Sequence, residues 1–295
     1  MTSVPKLRAL TARLCPAMPH QLPPLPNFLI LGASRSGSST LHAWFSQHPD
    51  IFMSEPKELW FFNRDDQYRR GLDHYRAMYG GWNEEQILGE CTPVYLYRNL
   101  LYYDRSKLYW AKRDGAIARI ARDLPDAKFL ISLRHPLDRF VSQYRKNSRR
   151  GKLGVGPTLD AHARKAGADG MSYRADLENV RNLLGLERVR FIIFEEWTVH
   201  PHAMLSEVCQ FLGTDPCYDF DTSRNVVRTG DEGRFLKRVA ERLGQTGASR
   251  RITETLDAGL RCDLLEALLP DIAFVESLLG RSIPAWSRDA CQAKI

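Results

Sequence analysis

The segment Asn27–Leu41, with the sequence NFLILGASRSGSSTL, has the residue types of an anion-binding loop. Its apolar run Phe28–Leu31 predicts a buried strand, the Gly- and Ser-rich residues after it predict a turn, and a helix is predicted to begin near Gly37. A helix that follows such a turn offers exposed N–H groups and the positive end of its dipole to a phosphate group. The segment therefore predicts a phosphate site at the carboxyl end of the first strand.

This loop differs from a triphosphate-binding loop at one position. Gly32 and Gly37 have the spacing of the two glycines in a Walker A motif, where a lysine directly after the second glycine reaches the β- and γ-phosphates. Ser38 occupies that lysine position in this chain, and the cation of the loop is Arg35. The loop thus favours a phosphate compound other than a nucleoside triphosphate.

A second segment, Lys128–Tyr144 (KFLISLRHPLDRFVSQY), also predicts a short apolar strand followed by a helix. Pro136 suits the first helical turn, where a missing N–H group costs nothing. Arg134 closes the strand and Ser142 lies about two turns into the helix, so a cation and a hydroxyl group can share one anion. Two anion sites at two strand ends predict a ligand with two separated phosphates.

Both segments resemble motifs of one enzyme family. GASRSGSSTL resembles the 5′-phosphosulfate loop of the sulfotransferases that use 3′-phosphoadenosine 5′-phosphosulfate (PAPS), and LRHPLDRFVSQY resembles their 3′-phosphate motif. The segments Glu55–Phe62 (EPKELWFF) and Gly89–Tyr97 (GECTPVYLY) are similar to segments of heparan-sulfate and bacterial carbohydrate sulfotransferases. The resemblance continues to about Trp286 through the segments FEEW (Phe194–Trp197), FLG (Phe211–Gly213) and DIAFVESLLGRSIPAW.

This resemblance implies PAPS as the cofactor and a role for each matching residue. Arg35 stands at the family's usual lysine position and is expected to stabilise the leaving phosphate. Arg134 and Ser142 are expected to bind the 3′-phosphate, and Arg228 to close over the nucleotide. The residues expected to hold the 5′-phosphate are Ser36, Gly37, Ser38, Ser39 and Thr40. The alternative interpretation of the serine run is a simple helix N-cap.

The acceptor must lose a proton as it attacks, so a general base is expected near the sulfate. The match to heparan-type enzymes places this base at Glu58, beside Lys57, which is a candidate for binding substrate or sulfate. Glu90 is the alternative base, and a solvated surface carboxylate is the alternative interpretation of Glu58. Cys91 departs from the heparan type, which often has lysine there. Aromatic residues are expected partly to line an acceptor cleft and partly to join the core: Trp60, Phe61, Phe62, Tyr95, Tyr97, Tyr102, Tyr103, Tyr109 and Trp110.

The apolar pattern predicts strands that alternate with helices, which is typical of a parallel sheet with helices on both faces. The predicted strands are Phe28–Leu31, Gln86–Glu90, Lys128–Leu133 and Val189–Phe194. The predicted helices are Gly37–His48, Gly115–Leu124, Pro136–Arg149, Tyr173–Leu184, Pro201–Phe211 and an amphipathic C-terminal helix within Leu260–Leu279. The fold expected is one three-layer α/β/α domain of the P-loop type over residues 27–287, with a basic, proline-rich leader at 1–26 and a tail at 288–295.

Composition narrows the partners and the compartment. The formal net charge of +7 suits an anionic cofactor or acceptor, while the absence of zinc-ligand spacing, an RNP-like motif or a continuous basic run argues against nucleic acid. Residues 1–26 lack the apolar run of a signal peptide or membrane anchor. Since Golgi members of the resembled family carry such an anchor, the expected enzyme is a cytoplasmic one of the bacterial type, with an enzyme whose anchor has been cut away as the alternative. The six cysteines have no metal-ligand spacing, so free thiols are expected, with a Cys209–Cys217 disulfide as the alternative. No bound metal is expected.

The sequence thus predicts sulfuryl transfer from PAPS to a hydroxyl group or amine, with a carbohydrate or glycosylated small molecule as the favoured acceptor. Two other classes stay open. A P-loop kinase of a small metabolite would require Mg²⁺ and ATP, and the missing Walker lysine argues against it. A catalytically silent relative would bind nucleotide or a partner, and the two intact phosphate motifs with Glu58 argue against it.

Overall fold

The computed structural model describes residues 22–97, 115–149, 158–223 and 254–287. Within these residues the chain forms a parallel sheet of five strands in the order β2-β3-β1-β4-β5. The strands are β1 (Phe28–Gly32), β2 (Ile51–Met53), β3 (Ile87–Cys91), β4 (Lys128–Leu133) and β5 (Val189–Ile193). The register of neighbouring strands is continuous, except for an irregularity between Ile30 and Gly32 where β1 meets β4.

Helices connect and cover these strands. The first group is α1 (Ser38–Phe45), α2 (Asp65–Tyr68), α3 (Leu72–Ala77), α4 (Gly115–Asp123), α5 (Pro136–Arg149) and α6 (Leu159–Ala166). The second group is α7 (Arg174–Leu184), α8 (Phe194–Trp197), α9 (Pro201–Leu212), α10 (Ala258–Ala267) and α11 (Leu269–Leu279), followed by a 3₁₀ turn at Pro284–Trp286.

The first strand shows why the fold has three layers. Successive side chains of a strand point to opposite faces of the sheet. Leu29 and Leu31 pack in an apolar cluster with residues of α4, α7 and α11, whereas Phe28 and Ile30 pack in a second cluster with residues of α1 and α9. A parallel sheet with both faces covered carries continuous apolar strands, as β1 does. The expected single α/β domain with a parallel central sheet is therefore confirmed.

The elements agree with the predictions where the apolar runs are long. Helix α5 and strand β4 have the predicted bounds, and β3 is displaced from the predicted Gln86–Glu90 by one residue. The short strand β2 was not predicted. The single C-terminal helix expected within Leu260–Leu279 is wrong, because Leu268 ends α10 and caps α11. Pro270 explains this break, since proline is tolerated in a first helical turn and not in a helix interior.

Several other expectations concern thiols, the ends of the chain and the membrane. Cys91, Cys209, Cys217 and Cys262 are free, so free thiols are confirmed at these positions and the Cys209–Cys217 disulfide is wrong. The tail at 288–295, most of the leader and Arg228 lie outside the described residues. Across the described ranges, no helix combines the length and apolar character needed to cross a membrane.

Candidate active site

The two phosphate motifs lie at the same edge of the sheet. Strands β3, β1 and β4 are neighbours and run parallel, so the segments that follow their carboxyl ends lie side by side. Ligands of open parallel sheets bind at this edge. The phosphate loop follows β1, Arg134 follows β4, and Thr92 follows β3.

The phosphate loop has a strained backbone, and the helix that follows it has no side-chain cap. Arg35 has a φ of 72° and Gly37 a φ of 81°, both in the left-handed region. Gly37 is the N-cap of α1, and neither a capping side chain nor an acidic residue in the first turn is found among the described residues. The helix N-cap interpretation of the serine run is therefore wrong. Because the cap has no side chain, the first N–H groups of α1 remain suited to an anion.

The loop is supported from below by Trp197 of α8. A Cβ atom placed on Gly37 would lie 2.3 Å from Cζ2 of Trp197, so only glycine fits between the loop and this ring. Trp197 Nε1 donates to Ser132 Oγ (3.0 Å), which donates to the Ser36 carbonyl (2.7 Å). The FEEW segment, one of those that carry the family resemblance, thus contains a residue that shapes the loop.

Arg35 connects the two predicted phosphate motifs. Its Nε atom donates to Ser142 Oγ on α5 (3.0 Å), and Arg134 Nη1 donates to the Arg35 carbonyl (3.3 Å). The Arg134 guanidinium lies over the Phe194 ring, 4.8 Å from its centroid. The structure therefore brings Arg35 of the first motif together with Arg134 and Ser142 of the second, about 100 residues later in the chain.

Two buried polar atoms in this region are suited to bind an anion. Ser36 Oγ and Arg134 Nε are buried and have no hydrogen-bond partner in the part of the chain that the structure describes. A buried donor without a partner costs about 1–3 kcal/mol, so a hydrogen bond from a ligand to either atom would be stabilising. Their positions in the two motifs fit a compound with two phosphate groups.

The buried Arg139 side chain is linked by hydrogen bonds to the start of the phosphate loop. Arg139 Nη2 donates to the Met171 carbonyl (2.7 Å), and its Nη1 donates to the Tyr97 hydroxyl (3.3 Å). That hydroxyl also accepts from the Ser34 N–H group at the start of the loop (2.9 Å), and burial raises the pKa of Tyr97. The hydroxyl of Tyr173 donates to the Arg134 carbonyl (2.9 Å). These contacts position the loop and the second motif.

Lys57 and Glu58 lie beside the phosphate loop, in the segment after β2. Lys57 Nζ is 3.2 Å from Ser38 Oγ and 3.4 Å from Glu58 Oε1. The Lys57 side chain is 20% exposed and the Glu58 side chain 33% exposed, so both remain accessible from solvent. The carboxylate predicted to act as a base is thus adjacent to the predicted 5′-phosphate site.

Glu90, the alternative base, is completely buried at the end of β3. Its Oε1 accepts from Thr92 Oγ1 (2.6 Å) and the Tyr95 hydroxyl (2.7 Å), and its Oε2 accepts from the Tyr75 hydroxyl. Burial raises the pKa of the Glu90 carboxyl group, partly offset by these hydrogen bonds. Both oxygens are engaged away from solvent, so the geometry assigns Glu90 a structural role.

Thr92 and Tyr95, which both donate to Glu90, also position the segment that contains Glu58. Thr92 Oγ1 accepts from the Leu59 N–H group (3.1 Å), and the Tyr95 hydroxyl accepts from the Phe61 N–H group (2.9 Å). Between these two fixed N–H groups, Trp60 has a φ of 59° and stays partly exposed.

The aromatic residues that were expected near an acceptor cleft differ in their burial. Phe61, Phe62 and Tyr95 are buried in the core. These three residues are therefore the part of the aromatic set that joins the core and does not line a cleft. Trp60 and Tyr97 are partly buried. The remaining aromatic candidates lie outside the described residues: Tyr102, Tyr103, Tyr109 and Trp110.

The other predicted ligands have different surroundings. Ser39 is exposed on α1, whereas Thr40 is buried there. Cys91 is buried beneath the loop, its Sγ donates to the Ser38 carbonyl (3.4 Å), and burial raises the pKa of the thiol to about 12. Cys91 is therefore a neutral packing residue at neutral pH. In the four described ranges, no group of three or more His, Cys, Asp or Glu side chains is arranged to hold a metal ion.

Known proteins that are similar to this chain are sulfotransferases. The sequence model of the Sulfotransferase family matches residues 26–219. Bifunctional heparan sulfate N-deacetylase/N-sulfotransferase 3 of Mus musculus is 30% identical over 295 aligned residues, covering 91% of this chain. Membrane-associated sulfotransferase kil1 of Dictyostelium discoideum is 28% identical over 139 residues, covering 46% of this chain. This chain spans only 32% and 26% of the lengths of these two relatives.

A solved structure extends this likeness to the fold. The crystal structure of a sulfotransferase from Alicyclobacillus acidocaldarius superimposes with a TM-score of 0.64 at 26% sequence identity. The superposition covers 89% of this chain and 99% of that chain. The likeness therefore extends over most of the chain.

Proposed function

The chain belongs to the sulfotransferase family, and from this premise we propose that it transfers a sulfuryl group from PAPS to a hydroxyl group or amine of a carbohydrate or glycosylated small molecule. The observation that carries the proposal is the meeting of two phosphate motifs, in which Arg35 Nε lies 3.0 Å from Ser142 Oγ. A donor with a 5′-phosphosulfate and a 3′-phosphate has the two separated anionic groups that this arrangement fits.

The loop chemistry favours PAPS over a nucleoside triphosphate. Ser38 stands at the lysine position of a triphosphate loop, and Ser36 Oγ and Arg134 Nε, which have no partner among the described residues, supply donors at two separate places. The predicted 5′-phosphate ligands are the residues from Ser36 to Thr40, and the predicted 3′-phosphate ligands are Arg134 and Ser142.

The transfer itself requires alignment and charge neutralisation more than covalent chemistry. PAPS supplies the sulfuryl group and leaves as 3′,5′-adenosine bisphosphate. Glu58 takes the proton that the acceptor loses as its oxygen or nitrogen attacks sulfur in line with the leaving phosphate. Arg35 stabilises the negative charge that develops on that phosphate, through a planar group with several donors.

The acceptor class is inferred from the relative that carries heparan sulfate in its name and from charge. A formal net charge of +7 attracts an anionic acceptor such as an acidic polysaccharide. Trp60 lies two residues beyond Glu58 and is partly exposed, and we propose that its ring contacts the face of a sugar.

The decisive test is a calorimetric titration of the protein with 3′,5′-adenosine bisphosphate, AMP and Mg·ATP, followed by transfer from radiolabelled PAPS to desulfated heparan oligosaccharides. We expect tight, metal-independent binding of the bisphosphate and labelled product. A preference for Mg·ATP would favour the kinase, and bisphosphate binding without PAPS consumption would favour the silent relative.

Arg134→Ala should weaken binding of the bisphosphate selectively. A charge-assisted hydrogen bond contributes about 1.5–3 kcal/mol, so we expect the dissociation constant to rise about 10- to 100-fold for the bisphosphate and little for AMP. Calorimetry on both ligands measures this difference. Arg122→Ala is the matched control, because its side chain is 66% exposed on α4 and paired with Asp123. Equal losses for both ligands would remove Arg134 from the 3′-phosphate site.

A further inference from the structure

The cations around the phosphate loop fall into two groups. Arg35 contacts Ser142 on α5, and Arg134 contacts the Arg35 carbonyl, so both guanidinium groups lie toward the second phosphate motif. Lys57 approaches from the segment after β2 and contacts Ser38 and Glu58 instead. The side of the loop that faces the proposed base therefore has a cation of its own.

The position of this ammonium group is notable because of the residue it contacts. Ser38 occupies the place where a triphosphate loop has its lysine, and Lys57 Nζ lies 3.2 Å from the Ser38 hydroxyl. The positive charge that the loop sequence lacks at this point is thus supplied by a residue 19 positions later in the chain. A hydrogen bond between Ser54 Oγ and the Lys57 carbonyl (3.2 Å) fixes the backbone at this point.

A structural role alone accounts poorly for these contacts. A partly exposed ion pair such as Lys57–Glu58 contributes about 0–1 kcal/mol to stability. That pair also does not require the ammonium group to contact the phosphate loop. The double contact instead places the charge between the proposed 5′-phosphate ligand Ser38 and the proposed base.

We propose that Lys57 is a further catalytic residue, whose ammonium group binds the sulfuryl group while it moves from the 5′-phosphate to the acceptor. This inference rests on the proposed function. In an in-line transfer, the sulfuryl group lies between the leaving phosphate oxygen, near Ser38, and the attacking acceptor atom, near Glu58. A cation in contact with both residues is within reach of the equatorial sulfuryl oxygens.

The step balances without a further reactant. A bond forms between the acceptor oxygen or nitrogen and sulfur, while the bond between sulfur and the 5′-phosphate oxygen breaks. The electron pair of the broken bond stays on the leaving phosphate, and the acceptor proton moves to Glu58. Lys57 keeps its proton and stabilises the charge of the sulfuryl oxygens in the transition state.

Lys57→Met tests this role, because it removes the charge and keeps an unbranched side chain. Loss of one transition-state donor typically lowers the rate about 100- to 1000-fold, so we expect a single-turnover transfer rate lower by about 100-fold. The dissociation constant of 3′,5′-adenosine bisphosphate, which lacks the sulfuryl group, should stay within about threefold of wild type. Lys165→Met on α6, where Lys165 is exposed, is the matched control and should retain the wild-type rate.

Two rescue experiments separate a catalytic role from a structural one. Lys57→Arg should recover at least about tenfold of the lost rate, since it restores a positive charge. Lys57→Ala should be accelerated by added propylammonium chloride and not by potassium chloride at equal ionic strength. A wild-type protein that does not consume PAPS would overturn the proposed function. An active wild type with Lys57→Met within about threefold of its rate, or a Lys57→Ala variant that the amine does not rescue, would overturn this inference alone.

Discussion

Glu58→Gln should lower kcat about 1000-fold and leave the affinity for 3′,5′-adenosine bisphosphate within about threefold of wild type, because general-base catalysis typically contributes 10²- to 10⁴-fold. Glutamine has the shape of glutamate and can still accept from Lys57, which lies 3.4 Å from Glu58 Oε1. It cannot take the acceptor proton. The loss is therefore expected in the chemical step, measured as single-turnover transfer, while calorimetry reports on binding.

Glu55→Gln is the matched control for this variant. Glu55 lies three residues earlier in the same segment and is exposed, so its substitution should leave both the rate and the nucleotide affinity unchanged. A Glu58→Gln variant with the wild-type kcat would contradict the base assignment. The base would then not pass simply to Glu90, because both oxygens of that buried carboxylate are engaged by Thr92, Tyr95 and Tyr75.

Glu58 and Glu90 differ in a property that the sequence does not reveal. Glu90 ends an apolar run and precedes Cys91-Thr92-Pro93, whereas Glu58 stands between a polar turn and the apolar run Leu59–Phe62, and neither pattern shows which carboxylate is buried. The difference is burial, which depends on how the segment after β2 packs against the end of β3. That packing joins residues more than 30 positions apart, such as Leu59 and Thr92. Local pattern carries no information on such contacts.

The phosphate motifs could be predicted because their signals are local. An apolar run, a glycine-rich turn and a helix start occupy consecutive residues, and strand β4 with helix α5 has the predicted bounds. The supports of these motifs could not be predicted in the same way. Trp197 lies 160 positions after Gly37, and its ring position beneath the loop is set by β5 and α8. Only the family resemblance of the FEEW segment pointed toward it.

The left-handed backbone of Arg35 affects where its charged side chain lies. Arg35 is held in a left-handed conformation, which costs a residue other than glycine about 1–2 kcal/mol. Its side chain then reaches Ser142 on α5, while Lys57 contacts Ser38 at the start of α1. The strained residue thus directs the Arg35 cation to the second phosphate motif, and the cation beside the proposed base is Lys57.

Gly37→Ala should weaken binding of 3′,5′-adenosine bisphosphate by at least about 100-fold and lower the melting temperature. Two separate physical effects add at this residue. Its φ of 81° is strained for alanine, by about 1–2 kcal/mol. The new Cβ atom would also lie 2.3 Å from Trp197 Cζ2 and 3.2 Å from Phe194 Cε2, so either the loop or the ring must move. Movement of the loop displaces the first N–H groups of α1, which are the proposed phosphate donors.

Gly213→Ala isolates the first of these effects. Gly213 has a φ of 88°, and apart from its own chain neighbours no heavy atom of the described residues would lie within 4 Å of its added Cβ, so this variant has the strain without the clash. We expect Gly213→Ala to lose about 1–2 kcal/mol of unfolding free energy and to keep the wild-type nucleotide affinity. Denaturant unfolding and calorimetry on both variants measure the two quantities. If Gly37→Ala lost no more stability than Gly213→Ala and still bound the bisphosphate like wild type, the close fit between Gly37 and Trp197 would not be what shapes the phosphate site.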